Sequence, residues 1–147
     1  MDIRSKIEHD LKTALKEGKE DVKSTLRLLL ASVKYADKEV GKPIDDSAFI
    51  ATIQKEIKMR KETIDGAIAA GRHDLVSRAD NEVKILTSYL PRQLDDAELT
   101  AIVKKAIQTV GATSVADTGK IMKAVMPEVK GLASGDSVSK IVKELLS

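Results

Sequence analysis

The sequence contains no cysteine, which excludes disulfides, thiolate chemistry and cysteine-ligated zinc. Its aromatic residues are Tyr35, Phe49 and Tyr89 alone, and none forms a paired platform of the kind on which single-stranded bases stack. Histidine occurs only as His9 and His73. Neither has a second histidine at metal-ligand spacing, so both are expected to be solvated and no metal is expected. No apolar run approaches the roughly 18 residues of a membrane span, and the N-terminus lacks the apolar core of a signal peptide. The expectation is a cytoplasmic protein without a membrane partner. An excess of either charge is also missing. The 25 basic and 23 acidic residues leave a net +2, divided 18 to 16 up to Gln93 and 7 to 7 beyond it. Global charge therefore does not argue for DNA or RNA, and any nucleic-acid binding would rest on a local patch.

What is present is the composition of a helical protein. Hydrophobic residues make up 42% and charged residues 33%, with alanine, leucine, isoleucine, lysine and glutamate prominent and no strand-like alternation anywhere. The expected class is all-α. Pro91 ends a long helical pattern, because its ring removes a hydrogen-bond donor and pushes the preceding residue out of helical geometry. Directly after it, Asp95-Asp96-Ala97-Glu98 has the spacing of a capping box. The chain is thus expected to fold as an N-terminal block of long helices, 1–93, and a small C-terminal domain of three helices, 94–147.

In order, Asp2 caps a helix bearing Ile3, Ile7, Leu11 and Leu15, which Gly18 ends. A second helix from Asp21 carries Val22, Leu26, Leu29, Leu30, Val33 and Val40 to Gly41, with Leu28 and Tyr35 off the stripe, where another helix is expected to meet them. Asp45, Asp46 and Ser47 offer caps for a third helix, with Ile50, Ile53, Ile57, Ile64 and Ile68 as its apolar set. A fourth, capped by Asp74, runs through Leu75, Ala79, Val83, Leu86 and Leu90. In the tail, Leu99 to Val110 is a helix ended by Gly111, and Ala116 to Met126 is the next. A glycine-rich loop, Lys130 to Gly135, leads to a last helix capped by Asp136 or Ser137 and bearing Val138, Ile141, Val142 and Leu145.

No constellation for catalysis stands out, and no catalytic residue is assigned. Asp117-Thr118-Gly119-Lys120 resembles a phosphate-binding loop but lacks glycine where Ser114 stands and serine or threonine where Ile121 stands. Gly119 reads more simply as a small residue that lets another helix approach. Asp45-Asp46 and Asp95-Asp96 sit at helix starts, where capping and the helix dipole account for them. No serine lies in a Gly-x-Ser-x-Gly elbow. Two basic sets remain as binding candidates. Lys55, Lys58, Arg60 and Lys61 interleave with Glu56 and Glu62, the pattern of a solvated, mutually screened face. Lys120, Lys123 and Lys130 surround Gly131, whose loop can present backbone N–H groups to phosphate.

Glu82 to Leu94 and Asp117 to Gly135 resemble the two signature segments of the GatB/YqeY family. Lys58-x-Arg60-Lys61 and Gly71-Arg72-x-Asp74-Leu75 fit its stand-alone YqeY-like members, and the likeness spans nearly the whole chain. It implies a two-domain helical protein whose tail is similar to the C-terminal domain of the B subunit of the tRNA-dependent amidotransferase. That enzyme is a carbon–nitrogen ligase with glutamine as amido-nitrogen donor, and its tail contacts tRNA without doing chemistry. Leu132 departs from the pattern, since relatives often carry a lysine there. The implied function is a non-catalytic, tRNA-interacting protein without cofactors, contacting RNA through Lys120, Lys123, Lys130 and Gly131. Its implied partners are tRNA, amidotransferase proteins or aminoacyl-tRNA synthetases. A helical protein–protein adapter with no RNA role is the alternative.

Overall fold

The structure, a computed structural model, describes residues 2–147. The chain is all-α: seven α-helices and one short 3-10 turn, with no strand among the described residues. It divides into two compact units, Met1–Leu90 and Pro91–Ser147. The division follows Leu90 rather than Gln93, because the linking residues are bound into the second unit. The Gln93 side-chain amide donates to the carbonyl of Gly131, and the Leu94 N–H donates to the carbonyl of Leu132.

The first unit is built from α1 (Ile3–Glu17), α2 (Glu20–Val40), α3 (Asp46–Ala69) and α4 (His73–Thr87). Asp2 and Asp45 cap α1 and α3 by accepting from the N–H groups of Ser5 and Ala48, both at 2.8 Å, which satisfies donors that have no partner inside the helix. Gly18 and Gly41 stop α1 and α2 in left-handed conformation, φ 69° and 84°, which a side chain would strain. Ile7, Leu26, Leu29, Val33, Phe49, Ile53, Ile57 and Leu86 form the core. At roughly 1.5–3 kcal/mol for each buried side chain, this cluster is the main stabilising term of the unit. Tyr89 closes one edge: its hydroxyl donates to the Asp10 carboxylate, and burial together with that contact pushes its pKa up.

Several apolar positions behave differently from expectation; Val40 and Ile68, placed on the apolar stripes of α2 and α3, are 58% and 59% exposed. Leu15 is 46% exposed while Ala14 is buried, since steps of four residues at about 100° each rotate the stripe, and a step of seven from Ile7 returns to the core. Leu28 and Tyr35 meet no other helix and are 56% and 67% exposed. Asp74 lies in the first turn of α4 and does not cap it; its carboxylate takes the Arg72 guanidinium instead.

The second unit holds α5 (Asp96–Val110), the 3-10 turn Val115–Asp117, α6 (Thr118–Val125) and α7 (Gly135–Leu146). Leu99, Val103, Ile121, Val125, Val129, Val138 and Val142 lie at its centre. Helix α6 ends before Pro127, and α7 is capped by Ser134, which accepts from the Ser137 N–H at 3.1 Å, rather than by Asp136 or Ser137. Asp117 folds back to accept from the Thr113 N–H at 3.0 Å. At the head of α5 the capping box is complete: Asp95 accepts from the Glu98 N–H at 2.7 Å, and Glu98 accepts from the Asp95 N–H at 3.4 Å.

Glu98 also receives both terminal nitrogens of Arg92, at 3.0 and 2.7 Å. The guanidinium, then the backbone donor, holds its carboxyl at about 2, against an ordinary 4.5. A carboxylate depressed on folding stabilises the native state fully above the unfolded pKa, and that contribution disappears as pH falls through the folded one. The wild-type advantage over Glu98→Gln in thermal melting is therefore expected to be constant above about pH 5 and to vanish toward pH 2. Melts followed by circular dichroism across that range test it; an advantage that persists unchanged at pH 2 would assign it to another cause.

Candidate functional site

The charged groups drawn most deeply into the fold come from α3 and α4, with a serine of α2 beside them. Glu56 and Arg60 stand one turn apart on α3 and are 7% and 8% exposed. Arg60 Nη1 meets Glu56 Oε2 at 2.7 Å, and its Nε meets Glu82 Oε2 on α4 at 2.8 Å. Ser32 Oγ on α2 donates to the second oxygen of Glu56 at 2.7 Å, and Arg78 approaches Glu82 Oε1 at 3.7 Å. The fork of Arg60 suits this task, since a planar guanidinium directs its donors along fixed lines toward two carboxylates. The cluster carries two positive and two negative charges, so no uncompensated charge remains. Among the described residues, every buried side-chain nitrogen or oxygen has a hydrogen-bond partner.

Beside the cluster, between α3 and α4, lies an open groove of about 310 Å³ lined by Met59, Arg60, Thr63, Leu75, Arg78, Ala79 and Glu82. It contains neither a nucleophile paired with a base nor a histidine. His9 is exposed on α1, and His73 is exposed at the first position of α4. Among the described residues, no group of three or more His, Asp or Glu stands close enough to hold a metal ion.

The two basic sets fare differently. Arg60 does not belong to an exposed cationic face; Lys55, Lys58 and Lys61 are exposed while Arg60 points into the ion cluster. In the tail, Lys120, Lys123 and Lys130 are exposed, and Lys120 lies 3.8 Å from Asp117. Gly131 is buried, with φ 78° and its carbonyl occupied by Gln93. Its loop is also tied to itself, as Leu132 and Ala133 donate to the carbonyl of Val129. Gly119 is no close-packing residue: a Cβ there would meet nothing within 4 Å. Sequence reasoning missed the inward role of Arg60. The signal was available in the i, i+4 spacing of Glu56 and Arg60 next to Ile53 and Ile57, which puts a paired charge at the edge of the buried stripe.

The family described as Yqey-like protein matches residues 4–146. A protein of Pyrenophora tritici-repentis named "Altered inheritance of mitochondria protein 41, mitochondrial" is 30% identical over 98% of this chain and 81% of its own length. Proteins of the same name from Eremothecium gossypii and Lachancea thermotolerans are 34% and 32% identical, over 60% and 73% of this chain. The chain spans 49% and 59% of their lengths. These findings overturn two expectations. The relatives are named for the inheritance of mitochondria, not for amidotransferase activity or tRNA, so the amidotransferase-related, tRNA-interacting function is set aside. They are also named as mitochondrial, which corrects the cytoplasmic location. That location had rested on lacking a membrane span and a secretory signal, and neither feature separates cytoplasm from mitochondrion.

The motifs behind the functional inference have structural duties. Glu82 pairs with Arg60, Leu86 is in the core, Tyr89 holds Asp10, Asp117 binds the Thr113 N–H, and Gly131 makes a left-handed turn. Residues with such duties speak for the fold and not for a task.

Arg60→Ala is expected to destabilise the chain by about 3–5 kcal/mol, because it leaves Glu56 and Glu82 largely out of solvent without their cation. Arg60→Lys should recover only part of that, since an ammonium cannot reproduce the fork. A double variant, Arg60→Met with Glu56→Met, should lie closer to wild type than Arg60→Ala does. Urea unfolding at neutral pH measures all three, and an Arg60→Ala cost below about 1 kcal/mol would show that the cluster is solvated.

Proposed function

The chain belongs to the Yqey-like protein family, and from that premise we propose that it is a non-catalytic helical protein of the mitochondrion, serving the inheritance process for which its fungal relatives are named. The observation that carries this reading is the match to a relative so named over 98% of the chain. The non-catalytic part is supported by the way the polar groups are used. The most buried charges neutralise one another around Arg60, and Asp45, Asp95 and Ser134 are engaged as caps. The likeness of residues 94–147 to the tail of an amidotransferase subunit is read as shared folding determinants rather than a shared task.

The test is complementation. In Saccharomyces cerevisiae lacking its own relative, which is 28% identical to this chain, the chain fused to a mitochondrial leader is expected to restore transmission of mitochondria to daughter cells. Microscopy of labelled mitochondria in buds reads the outcome, with immunoblots of purified mitochondria to establish import. An imported, folded chain that leaves inheritance defective would overturn the proposal.

A further inference from the structure

Helix α2 has an apolar face that the described residues leave exposed. Leu28, Ala31 and Tyr35 are exposed, and at about 100° per residue they fall within about 60° of one another. They lie opposite Leu26, Leu29 and Val33, which fill the core. The spacing i, i+3, i+7 is the one by which a second helix is gripped. Along one edge of this stripe stand Arg27, Lys34 and Lys38, all exposed; none makes an ion pair among the described residues. The other edge is Ser32, already bound to Glu56, with the exposed Glu39 one turn beyond Tyr35 at the end of the helix.

Acidic residues are kept away from the middle of this face. Between Val22 and Lys38 the sole one is Asp37, on the far side of α2, where Arg4 holds it at 2.9 Å. Glu20 and Asp21 lie at the start of the helix and Glu39 at its end; Glu20 is taken by Lys23, and Asp21 by Asn81. We infer that this face docks an amphipathic helix of a partner protein, its apolar side seated on Leu28, Ala31 and Tyr35 and its flank acidic, opposite Arg27, Lys34 and Lys38. The inference deepens the non-catalytic reading and rests on it in one respect, that the chain works by contact. The apolar centre separates this face from a phosphate-binding patch, which would present cations throughout. A stripe of two turns fits a small, transient interface.

Two peptides of about 18 residues probe it, long enough to cover the face. Both carry leucines on one side, flanked in one by glutamates and in its twin by lysines, and both are titrated by fluorescence anisotropy with the intact chain. The glutamate peptide is expected to bind about tenfold more tightly than its twin at low salt, with the difference falling as salt rises. Leu28→Ala with Tyr35→Ala should weaken its binding about tenfold. Arg27→Glu, Lys34→Glu and Lys38→Glu together should reverse the preference. All five side chains are exposed, so circular dichroism should report unaltered helices. Equal affinity for both peptides, or binding that neither variant changes, would overturn the inference. So would a wild-type dimer in sedimentation that the Leu28/Tyr35 variant dissolves, which would make the occupant a second copy. Binding to anionic phospholipid vesicles or to a folded RNA that is lost with the same side chains would equally reassign the face. None of these outcomes depends on complementation in yeast, so failure of either proposal is distinguishable from failure of the other.

Discussion

The guanidinium of Arg60 is the constraint around which the first unit is arranged. It holds Glu56 on its own helix and Glu82 on α4, while Ser32 brings α2 to the same carboxylate. Removing two carboxylates and an arginine from water costs about as much as their attraction returns, so the net gain in stability over a well-packed apolar substitute is small or negative. What the cluster supplies is exclusivity. Helices whose buried stripes are all leucine, isoleucine and valine can slide or rotate past one another at little cost, whereas a fork with two fixed acceptors tolerates one register. The apolar cluster of Ile7, Leu26, Leu29, Phe49, Ile53 and Leu86 holds the helices together, and Arg60 ties α3 to α4 and, through Glu56 and Ser32, to α2.

Local signals read from the sequence were reliable where one residue's chemistry decides the geometry. Asp2, Asp45 and Asp95 cap as their positions imply, Gly18, Gly41 and Gly111 end helices in the left-handed region, and α4 gives out before Pro91. Where several residues compete, the sequence was ambiguous. Asp136 or Ser137 was the expected cap for α7, but the helix begins earlier, at Gly135, and Ser134 caps it by accepting from the Ser137 N–H. The exposure of Leu28 and Tyr35 was hidden for a different reason: a helix with apolar residues on two sides reads as doubly buried, and only tertiary structure tells which side has a neighbour.

The same distinction explains why function was misread while the YqeY part of the family resemblance was right. The segments that carry the family resemblance contain an ion-pair partner, a tyrosine latch, a back-turned aspartate and a left-handed glycine, all with structural duties in this chain. They identify the architecture well. Task-specific residues are held in place by partners outside the chain, so nothing in the local sequence marks them. The three tail lysines illustrate this, as their exposure is equally compatible with a contact and with solvation.

The latch between Asp10 and Tyr89 joins residues 79 apart in sequence, and this bears on how the chain is made. Helices α1 and α2 are adjacent and can pair as soon as both have left the ribosome, but Leu86 and Tyr89, which close the core over Ile7, are synthesised much later. At about 5–20 residues per second the interval is roughly 4–16 s, long compared with the microseconds in which helices form. For that time the nascent chain presents Ile7, Leu26 and Phe49 to its surroundings. The first unit is thus a natural client for holding chaperones during translation, whereas the second unit is completed within a stretch of only 57 residues, Pro91–Ser147, and needs far less protection.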